Sequence, residues 1–206
     1  MRTLHDSLTW VDSGTATLNA AVASLGDASM SEPSRLPGWT RKHVIAHVAA
    51  NADALGNLVH WARTGQRTPM YSSPDQRGAD IEAGSRLPAE ELKRRLARSA
   101  EALATAMSKL DEEDWSAEVL TAQGRAVAAT EIPWLRAREV CVHAIDLGTG
   151  VTFADLAEEF LAALVEDIVA KRGLPFVPVG PLPDIAGYLA GRPHGLTDVP
   201  DLGPWL

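Results

Sequence analysis

In five separate stretches of this chain, apolar residues return every three or four positions, and that spacing leaves little but packed helices to build from. The first stretch runs Leu4, Leu8, Val11, Thr15, Leu18, Val22 and Leu25, with the small Thr15 taking one position. Steps of three and four put side chains on one face of an α-helix. Gly26 and the polar, Pro-containing stretch to Gly38 break the pattern. Thr40 is then an N-cap for a second helix running to about Thr64, with Val44, Val48, Leu55, Leu58 and Ala62 on its buried stripe and Gly65 ending it. A third helix spans roughly Pro88 to Leu110, with Leu92, Leu96, Leu103, Met107 and Leu110 on one face. A fourth runs from about Glu131 to Leu147 and stops at Gly148; a fifth runs from about Ala154 to Arg172 and stops at Gly173.

What lies between and after these helices reads differently. Gln66 to Leu87 is a long polar connection, of a length that often carries function in a small domain, with room for a short helix around Asp75 to Ser85. After Gly173 the chain turns Pro/Gly-rich. It offers a short strand at FVPVG, a short helix over Asp184 to Ala190, and an extended tail, VPDLGPWL, that docks through Trp205. The expected fold is mainly α: an up-and-down four-helix bundle over residues 1–172, with a small α+β C-terminal appendage over residues 173–206. At 206 residues, 46% of them hydrophobic, the chain is long enough to bury a core without staples.

Charge and cysteine usage narrow the function. A net charge of -8 argues against nucleic acid and against an anionic membrane surface as partners. Cys141 is the lone cysteine, so no internal disulfide forms and no oxidising compartment is implied. The N-terminus lacks a basic-then-apolar signal pattern, and no apolar run approaches the roughly 20 residues needed to span a bilayer. The expectation is a soluble, monomeric, cytoplasmic protein.

The fourth helix carries the chemistry. Ile132, Leu135, Glu139, His143 and Leu147 share one stripe that begins and ends apolar, so its middle faces the core. A carboxylate and an imidazole one turn apart inside a bundle need a partner, because an unpaired buried charge is costly. Two readings meet that need: a Glu–His hydrogen bond that satisfies a core histidine, or a shared metal ion. His47, mid-way along the second helix beside the Val44–Val48 stripe, completes a set of two histidines and a carboxylate, the three-ligand pattern of a catalytic zinc with one position left open. His43, four residues earlier, is a rival ligand from the first turn. Cys141 lies about 200° round the helix from Glu139 and points away. His5, His60 and His194 have no partner readable at this level. Asp146 continues the polar stripe and offers support to a ligand, while Trp39 and Trp134 are either pocket walls or core.

At these residues the chain resembles a known family. LPGWTRKHVIAHVAAN resembles the turn and second helix of the DinB-like metal-binding bundles, and REVCVHAIDLGTG resembles their later ligand-bearing helix. Within that superfamily the chain is similar to the mycothiol-dependent maleylpyruvate isomerases, with further support from PDQRGADIEAG in the long connection and DIAGYLAGRPHGL in the tail. The resemblance implies zinc on His47, Glu139 and His143 with a water at the open position. It also implies Arg77 and Arg192 facing a dicarboxylate substrate or a low-molecular-weight thiol, mycothiol. The implied activity is a zinc- and mycothiol-dependent cis–trans isomerisation of maleylpyruvate to fumarylpyruvate in gentisate-type aromatic catabolism. The family pattern also implies a fuller α+β C-terminal region than residues 173–206 supply. Other readings of the same site are a mycothiol S-transferase, a zinc hydrolase, and a non-enzymatic helical module stabilised by structural zinc. A structural zinc usually takes four protein ligands, and the lack of a clear fourth favours catalysis.

Overall fold

The computed structural model describes residues 2–203 and 205, and nearly all the regular structure in them is helical. Four long helices make the bundle: α1 (Leu4–Ala23), α3 (Arg41–Thr64), α5 (Ala89–Met107) and α7 (Ile132–Asp146), with the short α2 (Asp27–Met30) between the first two. α1 packs on α7, and α3 packs on both α5 and α7. Arg41 reaches the Leu147 carbonyl, His47 meets Glu139 and His143, and Asn51 meets Arg136. Rising numbers on α3 thus face falling numbers on α7, so the two run antiparallel. This is the up-and-down bundle that the helical periodicities imply. The stripe residues Val44, Val48, Leu55 and Leu58 are fully buried, as are Leu92 and Ile132. No described helix is long and apolar enough to cross a membrane.

The helix ends follow local chemistry. Gly65 closes α3 at φ 70, in the left-handed region where glycine carries no Cβ penalty. The long connection folds as α4 (Pro74–Ser85), whose N-cap Ser73 hydroxyl accepts from the Gln76 N–H at 3.2 Å. α4 buries Ile81 and approaches α3 closely at Gly84, where an added Cβ would stand 2.7 Å from the Ala46 Cβ. α1 and α7 approach in the same way, since a Cβ on Gly14 would stand 2.5 Å from Cys141 Sγ.

Strands are sparse. β1 (Glu118–Leu120) pairs antiparallel with β2 (Ala126–Ala128), after the short α6 (Glu112–Ser116). Three-residue strands are too short to show alternation in a sequence, and this hairpin went unread. The strand expected at FVPVG does not form. Pro178 cannot donate to a ladder, and Val179 is 98% exposed with no strand beside it.

The described chain divides into two compact units. One is Leu4–Thr149. The other is built from Gly150 onward, together with the residues before Leu4. In the second unit α8 (Glu158–Arg172) packs on α9 (Leu182–Leu189). Arg172 donates to the Leu202 and Gly203 carbonyls at 2.6 and 2.9 Å, which fastens the extended tail to the end of α8.

Candidate metal centre

Antiparallel α3 and α7 bring three sequence-predicted residues to one point. Nε2 of His47 lies 2.9 Å from Oε2 of Glu139, and Nε2 of His143 lies 3.2 Å from the same oxygen. Side-chain donor atoms of all three lie within 4.8 Å of one another. The two rings stand nearly perpendicular, at 85°, with centroids 4.9 Å apart. His47 and His143 are buried, and the Glu139 side chain keeps 14% of its exposure. Two imidazole nitrogens and a carboxylate oxygen are the donors of three-ligand zinc sites, so the residues fit that ion. Among the described residues no fourth His, Cys, Asp or Glu joins them.

Each group is held by a neighbour. Nδ1 of His143 sits 2.8 Å from Oδ2 of Asp146, which is completely buried. A second ring nitrogen tied to a carboxylate is the usual support of a ligating histidine. His43 is used otherwise. Its Nδ1 accepts from the Thr40 N–H at 3.2 Å and lies 2.7 Å from the Thr40 hydroxyl, capping α3, while its Nε2 lies 3.5 Å from Glu82. The rival ligand is thus a cap residue.

Electrostatics follow from burial and contact. Burial alone raises the Glu139 carboxyl, but hydrogen bonds from His143 and His47 outweigh it and hold the group well below its ordinary range. Burial pushes His143 down, and hydrogen bonds to Asp146 and Glu139 more than offset it, so its pKa is pushed up to about 9. His47 stays below its ordinary value because burial outweighs the help of Glu139. The two carboxylates on either side of His143 thus both favour its protonated form.

The site's cover comes from α4 and the turn before α3. Nη2 of Arg77 comes within 3.5 Å of Nδ1 of His47. Trp39 stands edge-on to His47 at 5.7 Å and stacks on His43, so it is a wall. Trp134 is core, fully buried against Trp10 at 5.8 Å. Cys141 is buried against Gly14, its thiol pushed up to about 12 by burial, so it does not supply a thiolate. His5 and His60 are exposed, and His194 packs on Tyr188. Arg192 belongs to the second unit. It is buried there, and its Nη1 donates to the Ala190 carbonyl at 2.6 Å and to the Trp205 carbonyl. Trp205 is thus tied through its backbone.

Three residues of the site were missed in the sequence. Tyr71, half-buried before α4, shares a hydrogen bond with Arg77 and senses the Glu139 charge. Buried Arg136 and Asn51 pair across α7 and α3. Both were readable in principle, because Arg136 lies three residues before Glu139 and Asn51 four after His47, each on the stripe of a ligand.

An antiparallel helical bundle with a buried His–Glu–His centre, covered on one side by an arginine-bearing helix, defines a protein of the DinB-like class. The sequence family described as "Mycothiol maleylpyruvate isomerase N-terminal domain" matches residues 11–148, and the chain belongs to that family. Among solved structures it is similar to a mycothiol-dependent maleylpyruvate isomerase, at 39% identity and TM-score 0.91, with each chain covered in full. A histidine-to-alanine mutant of a mycothiol-dependent maleylpyruvate isomerase gives 38% identity and TM-score 0.90, again over the full length of both. These likenesses place the chain among isomerase enzymes. No curated protein matches it.

Proposed function

We propose that this protein isomerises maleylpyruvate to fumarylpyruvate with zinc and mycothiol, in gentisate-type aromatic catabolism, as a cytoplasmic monomer. The observation that carries the reading is the meeting of His47, Glu139 and His143 around one point, with no fourth His, Cys, Asp or Glu among the described residues. Family membership and the two isomerase structures support the reaction type.

Isomerising a cis alkene conjugated to a ketone needs a temporary single bond. A thiolate adds to one alkene carbon, the electron pair moves to the ketone oxygen as an enolate, and the former double bond rotates. Elimination then returns the trans alkene and the same thiolate, so no thiol is consumed. His47, Glu139 and His143 would hold zinc, which supplies a Lewis acid able to lower the pKa of a thiol at its open position. The thiol must come from outside, because Cys141 is buried and its pKa is raised. Asp146 fixes the ring of His143. Arg77, on α4 beside His47, suits a substrate carboxylate through paired charge-assisted hydrogen bonds, with Tyr71 steadying its guanidinium. We assign Arg192, within the second unit, to binding an anionic group, in line with the family resemblance.

The test is turnover of maleylpyruvate by zinc-loaded protein with and without mycothiol, beside a chlorinated aromatic electrophile as control. Isomerisation that requires the thiol is expected. Full turnover in thiol-free buffer rejects the mechanism, and conjugation of the electrophile without isomerisation makes the enzyme a thiol transferase.

A further inference from the structure

Arg136 is a buried cation that the proposed chemistry does not use. It is 1% exposed, among the most deeply buried large side chains of the protein. Its Nη1 donates to the Val48 carbonyl at 2.7 Å and to Oδ1 of Asn51 at 2.9 Å, both neutral acceptors on α3. Among the described residues no carboxylate pairs with it. Burial lowers its pKa to about 10, so it stays charged at neutral pH. A buried charge is normally paired with an opposite one in contact. Here the nearest acidic influences are Glu139, one turn along the same face of α7, and Asp53.

The separation has a chemical use. A guanidinium bonded directly to Glu139 would occupy the oxygens that face His47 and His143. Val48 and Asn51 hold Arg136 back, so its charge acts on the centre while those oxygens stay available. The charges around a filled centre then become uneven. Metal ligands bind deprotonated, so a dication on Glu139 and two neutral imidazoles leaves one net positive charge. Asp146, behind His143, offsets that one. Arg136 adds one that no carboxylate touches, inside the bundle, and Arg77 adds one beside His47.

We propose that Arg136 is a positioning residue whose held-back charge makes the filled centre select an anion, such as a thiolate, over a neutral molecule at its open position. This rests on the assignment of a metal to His47, Glu139 and His143 and goes beyond it by naming what sets the preference for the incoming group.

The experiment uses protein loaded with cobalt(II), whose visible spectrum reports its ligands, titrated separately with azide, an anion, and imidazole, a neutral ligand. Arg136→Gln removes the charge. Asn51→Asp keeps the fold's shape and cancels the charge by placing a carboxylate against the guanidinium, which keeps the test alive if Arg136→Gln does not fold. In both variants azide affinity should fall about tenfold, the size expected for one charge acting through a protein interior, with imidazole affinity unchanged. Arg136→Lys should bind azide nearly as the wild type does. Azide binding unchanged in Asn51→Asp, or azide and imidazole weakened together, overturns the proposal. Wild-type protein that takes up no cobalt overturns the metal assignment and this inference with it.

Discussion

Oδ2 of Asp146 lies 2.8 Å from Nδ1 of His143, so the nitrogen left to face Glu139 is Nε2. One buried carboxylate thereby chooses which end of the imidazole enters the centre. Asp146→Ala should weaken zinc binding by about 10–100-fold, the usual cost of losing such a support, and Asp146→Asn, which keeps a hydrogen-bonding group, should lose less. Competition with a chromophoric chelator measures both. Equal zinc affinity in wild type and Asp146→Ala would remove Asp146 from the site.

The raised pKa of His143 sets a pH dependence in the ion-free protein. An unfolded histidine titrates near about 6.5, whereas His143 is pushed up to about 9 in the fold. A raised value means that the protonated form is the one the fold stabilises. That contribution is complete below about 6.5 and is lost as pH rises through about 9. Metal-stripped protein should therefore melt at falling temperature across this interval. Zinc competes with the same proton, so its apparent affinity should rise across it, with proton release on binding. Calorimetry in buffers of different ionisation enthalpy reads the released proton. No release near pH 7 would contradict a protonated His143.

Arg77 should matter to substrate rather than to the ion. Arg77→Met is expected to lower kcat/KM by about 10–100-fold, the loss of one or two charge-assisted hydrogen bonds, while zinc content stays at the wild-type level. Arg192→Ala should also raise KM. Because Arg192 ties Ala190 and Trp205, it should in addition lower the melting temperature, which Arg77→Met should not. Steady-state kinetics beside metal analysis and a thermal scan separate the two arginines.

Cys141 should be chemically silent. Cys141→Ala is expected to retain the full thiol-dependent rate, and loss of activity with the fold intact would return the nucleophile to the chain. Gly14→Ala, by contrast, should destabilise by about 1–3 kcal/mol, because its new methyl would collide with Cys141 Sγ and Val140 Cγ2 at 2.5 and 2.7 Å. The double variant should recover part of that loss, since one colliding atom is gone. Urea denaturation of the two single variants and the double variant provides the cycle.

The long helices were legible because burying one face of a helix writes a spacing of three and four into the sequence; the α3 stripe and Glu139–His143 are examples. The helix α4 was legible only as a short helix around Asp75 to Ser85, and its N-cap Ser73 emerged from the structure. The β1–β2 hairpin was not, since its pairing depends on where the chain doubles back rather than on a pattern three residues long. FVPVG carries strand-forming side chains, but a strand needs a partner, and none lies beside it. At the centre, ligand spacing within α7 was visible, while the pairing of Arg136 with Asn51 was hidden. That pairing joins residues 85 positions apart and depends on the antiparallel register of their two helices.

The seat of α4 on α3 has an engineering consequence. Gly84 over Ala46, with buried Ile81 one turn before it, seats the helix immediately beside His47 in sequence. Docking and discrimination are thereby assigned to different residues of the same short insert. On the proposed function, Arg77 and its neighbours can be replaced to suit a new substrate without touching the contact that seats them, and the helices bearing His47, Glu139 and His143 need no redesign. The bundle is in this respect a reusable chassis, and α4 is the part to exchange.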